Sequence, residues 1–218
     1  MLAEHGIYPR LLFVDEFAAN TQGGQGRGHG NSLAFPFGVD LDLDRLAGLA
    51  GLAGGTFHLS FNQSIGTSLA AADTFNAVSF QTRYKAYHNL RLSALAYSQD
   101  LFDGRLNVTG GRVSALTYFN ASPLYCNFQN NAICFNPAVL PIQNKTLSFF
   151  PYGTWGGRVK LAPIPQVYFQ VGAFEANSTL APTDGFNFST RTATGVQTAV
   201  ELGVQSATPL APHAYHLR

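Results

Sequence analysis

Apolar and polar side chains alternate with period two along most of this chain. The alternation is cleanest around Leu101–Leu106. Asn89–Asp100 and Leu106–Phe119 form two arms, and Asp103-Gly104 lies between them as a turn that tolerates positive φ. Each arm runs about ten residues or more, long for a soluble strand and close to what a tilted strand needs to cross a bilayer. A turn this short between strands this long predicts a transmembrane β-hairpin.

The same period recurs on both sides. Ile7–Ala19 reads as a first strand, and the glycine-rich Thr21–Gly30 as a turn or loop. Leu33–Leu46 sets Val39, Leu41 and Leu43 against Asp40, Asp42 and Asp44. The carboxylates lack the glycine and distal Glu of a calcium loop, so they read as a solvated or pore-facing strand edge. Strands are also expected at Thr56–Phe61, Phe75–Lys85, Thr154–Pro163, Gln166–Glu175 and Gly195–Gln205. In the arm Asn89–Asp100 the register stays open: pattern alone turns Arg91 inward, whereas the alternative turns Ala94, Ala96 and Ser98 inward. Residues 120–147 read as one long external loop, and Ala176–Asp184 as a second. Short and long connections therefore alternate, as at the two rims of an outer-membrane barrel. The expectation is an all-β, antiparallel transmembrane β-barrel of the porin type, with about eight to ten strands here and residues 1–218 as a single domain.

Composition narrows the alternatives. Charged residues are 11% of the chain, against about a quarter in ordinary domains, and aromatics are 13%. A net charge of +1 with scattered basic residues excludes a nucleic-acid partner. No apolar run is long enough for a transmembrane helix. The start, M-L-A-E-H-G-I, lacks the apolar core of a signal peptide, so the chain is expected to be mature, trimmed or incomplete. Cys126 and Cys134 are spaced for a small disulfide ring in an oxidising compartment, with two free thiols as the alternative. No His or acid lies near them to complete a metal site, and no cofactor motif is present.

Several segments then carry a family resemblance: L-D-L-D-R-L (Leu41–Leu46), G-G-T-F-H-L-S (Gly54–Ser60), S-Q-D-L-F-D-G-R-L (Ser98–Leu106), F-N-A-S-P (Phe119–Pro123) and P-Y-G-T-W-G-G-R-V (Pro151–Val159). Y-F-Q-V-G-A-F-E (Tyr168–Glu175) and A-V-E-L-G (Ala199–Gly203) complete the set. In this order they resemble the OprB-like carbohydrate-selective porins of Gram-negative outer membranes. The resemblance implies a barrel of roughly 16 strands that passes glucose-like sugars by diffusion, with outer-membrane lipid around it. It covers the N-terminal half of such a barrel, so a fragment of a longer gene is expected. Family members carry Glu and Trp before L-F-D-G, where this chain has Ala94, Ala96 and Ser98, which points to a less polar pore at that height.

A porin lumen holds solutes weakly, through hydroxyl-binding side chains and aromatic faces. The expected lumen residues are Arg83, Lys85, Arg158, Lys160 and Glu201, followed by His58, Gln81, Tyr168 and Gln170. Arg105 and Asp103 are expected to fix the short turn. No nucleophile, metal or acid–base constellation is present, so the chain reads as a non-enzyme. The rival reading is a soluble ligand-binding or adhesive β-sheet protein.

Overall fold

The computed structural model describes residues 2–47, 52–70, 74, 79–83, 88–121, 129–134, 148–180, 184–206 and 215–217. Ten strands form one antiparallel sheet: β1 (Ile7–Leu11), β2 (Val14–Asn20), β3 (Gly28–Asp42), β4 (Gly55–Gly66), β5 (Arg91–Leu101), β6 (Leu106–Val113), β7 (Thr154–Ile164), β8 (Val167–Ala176), β9 (Gly195–Ser206) and β10 (Tyr215–Leu217). The order is β1-β3-β4-β5-β6-β7-β8-β9-β10, with β2 also paired to β3, and the sheet is open rather than closed on itself.

The expected first strand is present but interrupted. Leu11 pairs with Phe37 and Val14 with Ala34, so β1 and β2 keep one register along β3. The gap falls opposite Pro36. Leu12 donates to the Pro36 carbonyl at 2.9 Å, but proline has no N–H to return the bond. The helix α1 (Leu43–Ala47) ends β3 early and carries Asp44 out of the alternating row.

The expected strand at Phe75–Lys85 is not found where it can be checked. Residues 79–83 form bends, and residues 75–78 and 84–85 lie outside the described residues. Here the alternating pattern belongs to a connection tied down by buried polar contacts. The loop 120–147 is described only at 120–121 and 129–134, where α3 (Asn131–Cys134) forms a single turn. Cys134 is buried and disulfide-bonded, while Cys126 lies outside the described residues.

Residues 102–105 and 165–166 make tight turns at one rim, where β3 and β4 are joined by the longer stretch 43–54; at the other rim the connections are 67–90, 114–153 and 177–194. In the first turn Arg105 N–H donates to the Phe102 carbonyl, and Asp103 and Gly104 have φ of 56° and 80°. Positive φ at both central residues matches the right-handed twist of the flanking strands. The two sheet faces differ in chemistry. On one, Val108, Val159, Leu161, Phe169, Val171, Val200 and Leu202 stand exposed, Val200 and Leu202 at 65% and 62%. An apolar area this continuous is a surface made for something other than water. The opposite face is polar, and the packed core lies on it.

That core explains the small residues of β5. The helix α2 (Ala115–Tyr118) and Phe119 fold back onto the polar face, where Ala115, Leu116 and Phe119 pack with Ala96, Val113 and Phe174. The row beneath them is Ala96, Gly111, Gly156 and Phe174, paired in sequence across four strands. At Gly172 a Cβ would lie 2.7 Å from the Phe119 ring. Small side chains make the seat into which this segment fits.

Candidate functional site

Between this inward segment and the turn rim, side chains of the polar face form a continuous hydrogen-bonded strip. Period-two alternation places the donors, and strand register sets their neighbours. Asp40 and His58 are cross-strand partners, as are His58 and Ala96, and Ser98 and Thr109. Arg10 Nη2 donates to Asp40 Oδ1 and to Ser60 Oγ, both at 2.9 Å. The His58 ring joins Asp40 Oδ1 at 2.7 Å through Nδ1 and Ser98 Oγ at 3.0 Å through Nε2. Ser98 and Thr109 hydroxyls are 3.1 Å apart, and Thr109 donates to Asn107 Oδ1 at 3.0 Å. Arg158 then donates to Asn107 Oδ1 at 3.1 Å and to Gln170 Oε1 at 2.8 Å. Gln170 Nε2 and the Tyr168 hydroxyl both donate to Glu201 Oε1, at 3.0 and 2.6 Å.

Rings line the same strip. The Arg158 guanidinium lies 4.3 Å from the centre of the Tyr118 ring, and Lys160 Nζ lies 4.6 Å from that of Tyr168. A cation over an aromatic face is stabilised by the ring quadrupole. Burial pushes the Tyr118 phenol above its usual range, with Arg158 pulling the other way. A cleft of about 160 Å³ opens beside the strip, lined among others by Arg10, His58, Ser60, Ala94, Tyr118 and Phe150.

Arg158, Lys160, Tyr168, Gln170 and Glu201 therefore form one cluster, and His58 is linked to it through Ser98, Thr109 and Asn107. Tyr168 and Gln170, expected to meet solutes, are 4% and 2% exposed and hydrogen-bond to their neighbours. Tyr168 covers Gly203, where a Cβ would come within 2.1 Å of its ring.

Gln81 and Arg83 belong elsewhere. Gln81 is fully buried, donates to the Glu16 and Thr67 carbonyls at 3.1 Å and accepts from Leu69 N–H at 2.9 Å. Arg83 N–H donates to Glu16 Oε2 at 2.7 Å, and the Thr82 hydroxyl donates to Oε1. This second cluster locks the 79–83 connection to β2, with Gln81, expected to meet solutes, fully buried within it. Lys85 lies outside the described residues.

Sequence reasoning missed Arg10, Tyr118 and the Ser98–Thr109–Asn107 relay. Alternation within Ile7–Ala19 names no partner strand for Arg10, and Tyr118 falls in a stretch whose pattern is that of a strand. The register question in β5 resolves both ways. Arg91 pairs with Asn62 and Ala94 with Ser60, because Ser93 is an extra residue that shifts the register between them. Both therefore share the polar face. Arg91 is buried with its guanidinium 4.7 Å from the centre of the Tyr152 ring.

Among the described residues of β6, a cation stands on the other face. Arg112 shares its side of β6 with Val108, yet it is 2% exposed. It donates to the Asn187 and Gly153 carbonyls at 2.8 and 2.9 Å and lies between the Trp155 and Phe188 rings, 5.8 and 5.3 Å from their centres. Residues 184–188 thus pass outside the wall and cover the charge, with Phe186 reaching the Phe61 ring at 6.3 Å.

Residues 27–215 match the family described as carbohydrate-selective porin, OprB family. The chain is 31% identical over 209 residues to Porin B of Pseudomonas aeruginosa, covering 92% of this chain and 45% of that protein. A structure of Pseudomonas putida OprB at high pH superposes with a TM-score of 0.87 at 28% identity, covering 95% of this chain and 50% of the other. The low-pH structure of the same protein, 21% identical with a TM-score of 0.60, is similar in fold; it covers 99% of this chain and 55% of the other. The chain thus spans about half the length of the relatives it matches.

Proposed function

The chain belongs to the OprB family of carbohydrate-selective porins, non-enzymatic channels of the outer membrane, and from that premise we propose that the whole protein lets glucose-like sugars diffuse across that membrane. The observation that carries this reading is the pairing of an exposed apolar face with a hydrogen-bonded polar face on the same strands. Such a wall suits lipid on one side and a water-filled path on the other. Its open edges, left bare in a bilayer, would expose unpaired backbone groups to lipid. Further strands closing the wall between β10 and β1 would remove them, and relatives about twice the length have room for such strands.

Within this proposal the solute contacts come from the accessible part of the strip. Arg10, Arg158 and Lys160 donate to sugar hydroxyls, Asp40 accepts, and His58 does either according to its tautomer. Tyr118 and Phe150 offer ring faces to pyranose C–H groups. Arg10, Asp40, His58, Arg158 and Lys160 are already partnered within the wall, so a sugar exchanges contacts along the path without a deep well that would delay its exit.

The test is reconstitution of the full-length protein in planar bilayers and in liposomes. The expected result is a salt conductance that glucose reduces, with liposomes that swell faster in glucose than in a larger oligosaccharide. A protein that partitions into the aqueous phase without detergent and adds no conductance would overturn the channel reading in favour of a soluble binding protein.

A further inference from the structure

The inward segment has a hub on the far side of the strip. Glu201 accepts the Tyr168 hydroxyl and Gln170 Nε2 on Oε1, and the backbone N–H of Asn120 on Oε2. Asn120 has φ 51°, a left-handed conformation that asparagine tolerates better than most residues. It turns the chain immediately after α2. Gln170 Nε2 also donates to the Tyr118 carbonyl at 2.9 Å. One carboxylate thus joins β8, β9 and the end of the inward segment.

We infer that Glu201 is a positioning residue that fixes the bore of the channel by holding residues 118–120 against β8 and β9. The inference rests on the channel reading above. It reassigns a residue whose sequence pattern suggested direct contact with solute. A carboxylate offers about four lone-pair sites, and both oxygens here are engaged by wall or segment donors. Charge-assisted hydrogen bonds are the strong ones, so this attachment controls the segment more than the neutral contacts around it. The packing of Phe119 against Phe174, with rings 5.8 Å apart and edge to face, seats the segment, and Glu201 holds its trailing end.

Glu201→Gln separates the two roles. A glutamine has one acceptor oxygen and one NH₂ group. Whichever way the amide turns, its NH₂ faces either the Asn120 N–H or the Tyr168 and Gln170 donors. The hydrogen bonds to residue 201 all lose their charge assistance, and the attachment gains a donor–donor conflict. The released state of the segment then rises roughly tenfold or more, the scale of one lost charge-assisted hydrogen bond.

The experiment is single-channel recording of the full-length protein in planar bilayers, first in salt alone and then with added glucose. Folding of each variant is checked by its migration on unheated gels. Glu201→Gln is expected to give a larger mean open current with more open-channel noise. Tyr168→Phe, which removes one donor and leaves the carboxylate, is expected to change both in the same direction by less. Asn120→Gly keeps the N–H and the backbone conformation and is expected to match the parent protein. Unchanged current and noise in both Glu201→Gln and Tyr168→Phe would overturn the inference. So would an unchanged salt current with an altered glucose block in Glu201→Gln, which would make Glu201 a solute contact. Absence of current in the parent protein would instead sink the channel reading itself.

Discussion

Gly172→Ala tests whether the small residues of the polar face form a seat. A Cβ there would lie 2.7 and 2.9 Å from two atoms of the Phe119 ring and 2.8 Å from the Phe174 ring. Comfortable carbon contacts begin at about 3.5 Å, so Phe119 must move by about 1 Å. Overpacking of this kind costs about 1–3 kcal/mol. Against it, replacing glycine at an ordinary φ removes freedom from the unfolded chain and returns about 0.4–1 kcal/mol. The steric cost outweighs the entropic gain. The loss falls on the contact between segment and wall, and about 1–3 kcal/mol of overpacking there raises release of the segment by about 5- to 150-fold. Chymotrypsin cleavage at Tyr118 and Phe119 in reconstituted protein reports that release. Phe119→Ala provides the control, because it removes two of the three close contacts and leaves only that with the Phe174 ring. In the double variant Gly172→Ala should cost less than in the parent, giving a coupling energy of about 0.5–3 kcal/mol. Cleavage of Gly172→Ala at the parent rate, or strict additivity of the two changes, would refute the seat.

Two further outcomes follow from the same physics. Gln81→Leu leaves the Leu69 N–H and the Glu16 and Thr67 carbonyls without their buried partner, each costing about 1–3 kcal/mol; urea unfolding in detergent should show a lower midpoint, with little change in channel current. Val200→Lys on the exposed apolar face should cost about 2–4 kcal/mol if it sits near the bilayer midplane, whereas Gln197→Lys on the other face of the same strand should be nearly neutral. Refolding into lipid vesicles measures both, and equal effects would overturn the assignment of faces.

The wall is legible in the sequence because a period of two runs through most of its strands. Strands β7 to β9 fall close to where alternation places them, and the turn at Asp103-Gly104 carries its own signature; β6 starts where expected but ends at Val113, because the rest of the expected arm Leu106–Phe119 folds inward as α2. What alternation cannot encode is a change of register or a change of role. Ser93 shifts the register by one residue, so a pattern that poses a choice between Arg91 and Ala94 is a case of both. The family resemblance makes Ala94, Ala96 and Ser98 a less polar stretch of pore. Ala96 instead leaves room for α2 and Phe119, while Ser98 carries the hydrogen-bonded strip. Residues 79–83 look like strand, yet Gln81 and Thr82 are held by contacts with β2 some 65 positions away. Long-range fastenings leave no periodic trace, and for that reason Arg10, Tyr118 and the anchoring role of Glu201 emerge only in the folded chain.

These fastenings also set an order of assembly. From β3 onward every pairing in the wall joins strands that follow one another along the chain, so the sheet can grow one strand at a time. The inward segment obeys a different clock. Its anchor on Glu201 spans 81 positions, and the cover over Arg112 spans 75. The seat is available once β8 is in place, but the clasp waits for β9. A nascent channel of this design is therefore widest while its first strands are being laid down, and it narrows only when β9 arrives.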